Sequence, residues 1–387
     1  MIHRGVATFG LDWGKCPRWL FERMVRLGRQ MTEIIVAEYG PDEFIKRIAD
    51  PVWFQTLGTV LAFDWNASGL TTILTAALKD AIRGHEKELG IFICGGKGKT
   101  SRRTPNEIQD WGEQLNLPAP RITNLVYNSR MSAKVDSALV QDGFQIYHHS
   151  FFFSNSPTGE GAWTVVQQGM NTVSQTARRY HWYSKKATDL VCEPHAGIAS
   201  QTQTPTLNLT ARTSDQTREI STALVQGGYQ NIMKDVNILR RHASDLSQTL
   251  ALRFKDGSEL TLLNLETKEF NWHPVAQEDF SKSRYLEKVL TKVCEQKPDN
   301  YEHLLAMEGV GPKTMRALSL VSEVIYGAKP SYEDPARYSF AHGGKDATPY
   351  PVDRQTYDST IDFFQKVIQR MKLSPLEKEK ISVRLVK

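Results

Sequence analysis

Cysteine is scarce in this sequence. The 387 residues include four cysteines, at positions 16, 94, 192 and 294. They lie far apart in the sequence, with no CxxC pair and no histidine at zinc-finger spacing. The sequence therefore predicts reduced thiols rather than disulfides or a zinc site. An iron–sulfur cluster, which takes a group of cysteine ligands, is excluded as well.

Long apolar runs are also missing. No segment approaches the roughly 20 apolar residues that a membrane-spanning helix requires. The first residues, Met1-Ile2-His3-Arg4-Gly5, lack the apolar core of a signal peptide. We therefore expect a cytoplasmic protein that has no membrane partner.

The charge is not extreme in either direction. Lysine and arginine number 48 and the acidic residues 43, which gives a formal net charge of +5 and a pI of about 8.8. This mildly basic balance is compatible with nucleic-acid binding but does not identify it. A chain of this length is long enough for two or three domains.

Periodic apolar positions predict a mixed fold. Residues spaced three or four apart indicate helices over 17–48, with an interruption at Gly40-Pro41, and over 69–89. Residues 91–94 read as a short strand. Two aromatic and β-branched segments, 142–153 and 162–168, flank a polar turn and predict a β-hairpin.

A Thr-, Gln- and Ser-rich stretch over 197–217 is the best linker candidate. Beyond it we predict helices over 216–252, 284–296, 354–372 and 375–386, and a hairpin across Lys255-Asp256-Gly257. The predicted class is α+β. Residues 1–200 would form a mixed α/β domain, and residues 201–387 a mostly helical domain that contains a helix-hairpin-helix.

Residues 304–314, with the sequence LLAMEGVGPKT, carry the most specific local signal. Gly309 and Gly311 permit a tight reversal, and Pro312 suits the first turn of a second helix. Such a reversal leaves backbone N–H groups at a helix N-terminus, where a phosphate binds well. The pattern is typical of a helix-hairpin-helix, which grips the DNA backbone without reading its sequence. The predicted DNA contacts here are Gly309, Gly311, Lys313, Thr314 and Arg316.

Residues 95–104 form a second cationic segment, interspersed with glycines. A P-loop is excluded because that motif needs glycine where this sequence has Ile93, so no nucleotide cofactor is expected. Two interpretations remain: a loop that contacts DNA phosphates, or a solvated surface loop. The candidate DNA-binding cations are Lys97, Lys99, Arg102 and Arg103.

Polar and aromatic side chains concentrate between residues 147 and 182. Amides can read base edges and aromatic rings can stack on bases, so one interpretation is a pocket for a flipped base. The alternative is a half-buried strand whose histidines satisfy internal hydrogen bonds. No short-range ligand spacing requires a metal, and none is expected. The candidate pocket residues are His148, His149, Gln168, Asn171, Tyr180, His181 and Trp182.

Asp353, in the segment PYPVDRQTY, directly precedes a predicted helix. With Lys313 it resembles the functional pair of helix-hairpin-helix DNA glycosylases, in which a Val-Asp or similar pair opens the helix after the hairpin. The resemblance implies that Asp353 is the essential acid, and that Lys313 attacks the sugar if the enzyme also cleaves the strand. A carboxylate stabilises the oxocarbenium-like charge, and an amine can form a Schiff base.

This sequence departs from that pattern because Lys313 and Asp353 are 40 residues apart. The excess over the well-known glycosylases lies in residues 328–348. The alternatives are a helix N-cap for Asp353 and a phosphate contact for Lys313. The resemblance implies no cofactor other than a monovalent cation at the hairpin.

Across nearly its whole length, the sequence resembles a prokaryotic family catalogued as domain of unknown function 763. The resemblance implies a DNA-binding hairpin joined to an unassigned N-terminal domain. It also suggests glycosylase activity, including activity on modified bases of phage DNA. The segments that carry it are 17–22, 63–69, 95–104, 132–136, 142–151, 165–171, 177–182, 309–314 and 339–353.

Three hypotheses follow for a protein whose expected partner is DNA. The first is a DNA glycosylase with Asp353 and Lys313 as catalytic residues. It would flip out a damaged or modified base, such as a bulky phage-type cytosine, and leave an abasic site in repair or phage defence. The second is a DNA-binding protein without chemistry. The third is a metal-dependent nuclease, with ligands among Asp64, Asp136, Asp142 and Glu193.

Overall fold

The structure, a computed structural model, describes residue 10 and residues 16–386 apart from 62–66, 157–160, 202, 243–250, 254–258, 262–283 and 337–353. The chain divides into two compact units. Unit 1 comprises residues 1–137, 142–206 and 334–387, and unit 2 comprises residues 138–141 and 207–333.

Unit 1 is built on a five-stranded antiparallel sheet with the order β1-β3-β4-β5-β6. The predicted strand at 91–94 and the predicted hairpin are confirmed as β1 and the β3–β4 pair. Two further strands complete the sheet where the sequence suggested only an aromatic block and a linker. The five strands are β1 Ile91–Lys97, β3 Gln145–Ser154, β4 Trp163–Asn171, β5 Thr176–Tyr183 and β6 His195–Ser200.

Helices cover one face of this sheet with an apolar layer. Gly40, at φ +82°, separates the first two helices, and Pro41 opens the second, so the predicted interruption is confirmed. The predicted helix over 69–89 divides into two. These elements are α1 Arg18–Tyr39, α2 Pro41–Ala49, α3 Pro51–Val60, α4 Ala67–Ile82 and α5 Glu86–Leu89.

The C-terminal helices α13 (Arg354–Arg370) and α14 (Pro375–Val386) join the same apolar layer. Phe364 of α13 stacks on Trp53 of α3, with ring centroids 5.4 Å apart, and both rings are buried. Burial of such aromatic side chains contributes about 1.5–3 kcal/mol each. This packing places the C-terminal segment in unit 1.

The opposite face of the sheet packs against α6 (Thr104–Gln114) and α7 (Ala119–Ala138), two helices the sequence analysis did not predict. Phe92 of β1 stacks on Phe153 of β3 at 4.9 Å and contacts Trp111 of α6 at 5.1 Å. The sheet is therefore covered on both faces, which makes its side chains internal on both sides.

Unit 2 is mostly helical. Two short antiparallel strand pairs accompany its helices: β2 (Val140–Gln141) with β7 (Leu207–Asn208), and β8 (Ala251–Arg253) with β9 (Glu259–Thr261). The helices are α8 Asp215–Gln226, α9 Tyr229–His242, α10 Arg284–Gln296, α11 Tyr301–Ala306 and α12 Pro312–Val324. In the described ranges, no helix has the length and apolar character needed to cross a membrane.

The predicted domain boundary near residue 200 lies close to the point where unit 1 gives way to unit 2, between residues 206 and 207. Residues 334–387, however, belong to unit 1 and not to the unit that contains the glycine-rich turn. The predicted linker over 197–217 contains regular structure, because β6 overlaps its start and β7 lies within it. Strand β7 pairs with β2, which is distant in sequence, whereas β6 pairs with β5, the preceding strand.

Candidate nucleic-acid interface

The glycine-rich turn of unit 2 joins α11 to α12. Gly309 adopts φ +88°, a conformation that favours glycine, and Val310 is buried. The Val310 N–H donates to the Met307 carbonyl at 3.3 Å. The apolar side chain of Val310 therefore anchors the reversal while the glycines on either side make the chain turn.

The first turn of α12 presents backbone N–H groups beside a lysine. Gly311 occupies the N-cap and has no side chain with which to cap the helix, and Pro312 takes the first helical position. Pro312 and Lys313 are exposed. The unsatisfied N–H groups of a helix N-terminus carry partial positive charge, to which Lys313 adds. This end of α12 can bind an anion.

The other two predicted contacts of this motif are placed differently. Thr314 is buried. Arg316 is half-buried, and its Nε donates to the Gln141 side-chain oxygen at 2.6 Å. Gln141 also donates from Nε2 to the Pro312 carbonyl at 3.0 Å. Thr314 and Arg316 therefore support the first turn of the helix, whereas Gly309, Gly311 and Lys313 are brought together at its surface.

The cationic segment of unit 1 follows β1 as a 3-10 helix, Gly98–Arg103. All four candidate cations, Lys97, Lys99, Arg102 and Arg103, are exposed. Side-chain hydroxyls tie the segment internally, since Ser101 donates to the Gly98 carbonyl at 2.6 Å and Thr104 to the Ser101 carbonyl at 2.7 Å. The segment is therefore an ordered cationic surface.

Gly95 anchors this segment to the sheet. It has φ +85°, and a Cβ there would lie 2.3 Å from the His149 carbonyl oxygen and from Thr104 Oγ1. The Glu107 carboxylate accepts hydrogen bonds from the Gly95 N–H at 2.9 Å and from Lys79 Nζ at 2.6 Å. The backbone just before the exposed cations is therefore held in place against the sheet.

The candidate base-pocket residues do not share one surface. Six of the seven are buried within the sheet of unit 1, and strand alternation divides them between its faces. Asn171 instead caps a turn, accepting from the Val173 N–H at 2.9 Å. His148, Gln168 and His181 face α2 and α4, whereas His149, Tyr180 and Trp182 face α7.

The face toward α4 holds neutral histidines. His148 Nε2 lies 3.2 Å from Thr75 Oγ1, and desolvation by burial lowers the pKa of His148 to about 3. His181 donates from Nδ1 to the Ile48 carbonyl at 3.1 Å, since that oxygen can only accept. Burial and the nearby Arg179 charge hold the His181 pKa well below its ordinary value. Both rings are therefore uncharged at neutral pH.

Arg179 lies on the same face among neutral groups. Its guanidinium donates to Thr71 Oγ1 at 3.1 Å and to the Gln55 side-chain oxygen at 3.2 Å, and it lies over the Phe54 ring. Desolvation lowers its pKa to about 9. The sequence does not show that both Arg178 and its neighbour Arg179 are buried, because arginine is most often exposed.

The face toward α7 carries a continuous hydrogen-bond chain. Ser129 Oγ lies 3.0 Å from His149 Nε2, His149 Nδ1 donates to the Gln167 side-chain oxygen at 2.9 Å, and Gln167 Nε2 donates to Asp136 at 2.5 Å. Asp136 also accepts from Trp182 Nε1 at 3.0 Å and pairs with His195 Nε2 at 2.5 Å. The whole chain links α7 to β3, β4, β5 and β6.

A second buried cluster surrounds Arg178. Its guanidinium pairs with Asp142 at 2.9 Å and with Asp334 at 2.7 Å, and Tyr180 donates to Asp142 at 2.6 Å. Desolvation raises the pKa of Asp142, although the Arg178 charge opposes the shift. The cluster ties the start of the C-terminal segment of unit 1 to the sheet.

Only some of the candidate catalytic residues are among the residues that the structure describes. Asp353 and Asp64 lie outside the described residues, while Lys313 is exposed at α12. Asp136 and Asp142 are engaged in the clusters above, and Glu193 is exposed. In the described ranges, no three His, Cys, Asp or Glu side chains group as metal ligands.

Comparison with known proteins finds one family. The model of a family described as "protein of unknown function (DUF763)" matches residues 5–352. The chain belongs to this family. Neither the curated proteins nor the solved structures contain a match.

Proposed function

We propose that this protein binds the DNA backbone through the turn between α11 and α12, which acts as a helix-hairpin-helix. The observation that carries the proposal is the exposed start of α12, where Gly311, Pro312 and Lys313 surround uncapped N–H groups. Phosphate oxygens accept from such groups and pair with lysine. Contacts of this kind carry no sequence information, so binding is expected on any duplex.

The cationic segment of unit 1 is proposed as a second phosphate contact. Lys97, Lys99, Arg102 and Arg103 are exposed on an ordered 3-10 helix. Four exposed cations are more than solubility requires, and each of them can pair with a phosphate. Their contribution is separable from that of α12 by independent substitutions.

The test is fluorescence anisotropy with a labelled duplex across a salt series. Lys313→Gln removes one phosphate contact, which lowers the slope of log K against log [salt] by about 0.9. Lys329→Gln is the matched control, because Lys329 is exposed beyond the C-terminal end of α12. An affinity and slope equal to the control's would contradict the contact at Lys313.

We further propose base excision on the bound DNA, with Asp353 as the acid. One observation favours it: α13 begins at Arg354, so Asp353 directly precedes a helix, as in the resembling glycosylases. Water would add across the glycosidic C–N bond, its oxygen going to C1′ and a proton to the departing base. The carboxylate would stabilise the positive charge that develops on the sugar.

Excision is tested by incubating the protein in EDTA with plain and base-modified phage DNA. Half of each sample is treated with mild alkali, and both halves are run on a denaturing gel. With wild type, we expect DNA fragments only in the half treated with alkali. The control Asp358→Asn, on the helix that follows Asp353, should give the same result, and Asp353→Asn should give no fragments. Equal activity of the two variants would contradict the role of Asp353. Cleavage that appears only with magnesium would instead assign a nuclease.

A further inference from the structure

Helix α10 lies directly against the glycine-rich turn of unit 2. Tyr285 Oη donates to the Gly309 carbonyl at 3.3 Å, and a Cβ on Gly309 would lie 3.1 Å from Val289 Cγ2. Lys292 Nζ pairs with the Glu308 carboxylate at 2.8 Å. One side of α10 therefore contacts the turn over about two helical turns.

The adjoining side of α10 is cationic over residues 284–292. Arg284, Lys288 and Lys292 follow at intervals of four residues; Arg284 and Lys288 are exposed, and Lys292 is half-exposed. At 3.6 residues per turn, Lys288 lies only about 60° around the helix from Tyr285. The stripe spans about 12 Å, a length of duplex axis along which one DNA strand places three to four phosphates.

We infer that this stripe of α10 is a second phosphate-binding element that continues the contact made by the turn. The partner it fits is the backbone of duplex DNA, because the cations follow a line beside a helix N-terminus that binds anions. The inference rests on the proposed function. It extends that function from a single turn to a surface that follows several phosphates.

Glu308 competes with phosphate in this arrangement. Its side chain is 89% exposed, it lies in the turn itself, and it holds Lys292. An exposed ion pair of this kind has little net stability, so a phosphate can replace the carboxylate at low cost. Removing the Glu308 charge both releases Lys292 and reduces repulsion of the DNA.

The experiment measures duplex binding by anisotropy over a salt series with full-length protein. Arg284→Gln/Lys288→Gln should lower the slope of log K against log [salt] by about 1.8, which corresponds to two lost phosphate contacts. Glu308→Gln should instead tighten binding, a gain that misfolding cannot mimic. Lys329→Gln, at an exposed lysine outside α10, is the control and should leave the slope unchanged.

The outcomes separate the two proposals. The role of α10 is overturned by two results together. The salt slope of Arg284→Gln/Lys288→Gln would equal that of the Lys329→Gln control, and the affinity of Glu308→Gln would equal that of wild type. If Lys313→Gln nevertheless weakens binding, the proposed contact of the turn stands. If only the α10 and Glu308 variants respond, α10 binds the backbone and the contact at Lys313 fails. Stronger binding to single-stranded DNA or RNA than to the duplex would overturn the assignment of partner.

Discussion

The turn in unit 2 and the sheet of unit 1 both contain side chains suited to binding nucleic acid, but those of the turn face solvent and those of the sheet are buried. At the turn, Lys313 and the start of α12 face solvent. In the sheet, His148, Gln168 and Tyr180 are buried and bonded to other protein groups. Residue type alone therefore does not reveal whether a side chain is exposed or buried. Glycine and proline fix the local backbone, whereas a strand's two faces depend on what covers each of them.

We expect the polar groups of the sheet to stabilise the fold rather than to bind DNA. The substitution with the largest expected effect on stability is at Asp142. Asp142→Asn removes one of the two carboxylates that pair with buried Arg178. We expect a loss of about 3 kcal/mol in the free energy of unfolding, at the low end for a broken buried ion pair because Asp334 remains. Urea denaturation measures the loss.

Glu22→Gln is the control for this substitution, since its partner Arg18 is exposed on α1. Its expected change is within about 0.5 kcal/mol, as for surface pairs four residues apart. If Asp142→Asn were as stable as this control but lost DNA binding, the polar cluster would belong to the functional surface, and the contrast between the two regions would fail.

The turn itself offers a matched pair of glycines. Gly309→Ala forces a side chain into φ +88° and against Val289, whereas Gly311, at φ −153°, has open space around it. We expect Gly309→Ala to lower the free energy of unfolding by about 1–2 kcal/mol and Gly311→Ala to change it little. Thermal and urea unfolding of the two variants check this, and equal stabilities would refute the assigned turn.

The buried histidines make a smaller, pH-dependent contribution. The folded-state pKa of His148 is about 3, below its ordinary value of 6.5. The unfolded chain therefore binds the proton more readily, so stability falls as pH falls from 6.5 toward 3. Between pH 6.5 and 5.5 the expected loss from His148 is about 1 kcal/mol.

His148→Gln should reduce this pH dependence, as measured by urea unfolding at several pH values. His85→Gln, at a histidine whose side chain is 44% exposed, controls for loss of an imidazole. An unchanged pH dependence in His148→Gln would mean that the ring is accessible to protons, and the sheet face toward α4 would then be open rather than internal.

The success of sequence prediction followed the range of the interactions involved. The break at Gly40-Pro41, the β3–β4 pair and the start of α12 at Pro312 each depend on residues close in sequence. Helices α6 and α7 and strands β5 and β6 were missed. Their segments are rich in polar residues such as Arg178 of β5 and Asp136 of α7, which become favourable there only through partners on other elements.

The candidate site shows the same division. The sequence located the turn and its Lys313, because glycine and proline act on their own backbone. It predicted helix α10 but did not point to a role for it, because cations at intervals of four residues are ordinary for an exposed helix face. Only the contacts of Tyr285 and Lys292 with the turn distinguish that helix from other solvated ones.

By itself, the sequence determined where the chain can reverse, where helices can start and which residues could contact a phosphate. The tertiary structure decided which of those residues remain accessible. It sent His148 and His149, neighbours in the chain, to opposite faces of one sheet, and it grouped residues 334–387 with unit 1. The physical reason is that burial and hydrogen-bond satisfaction depend on groups far away in sequence, whereas backbone conformation depends on the residue itself.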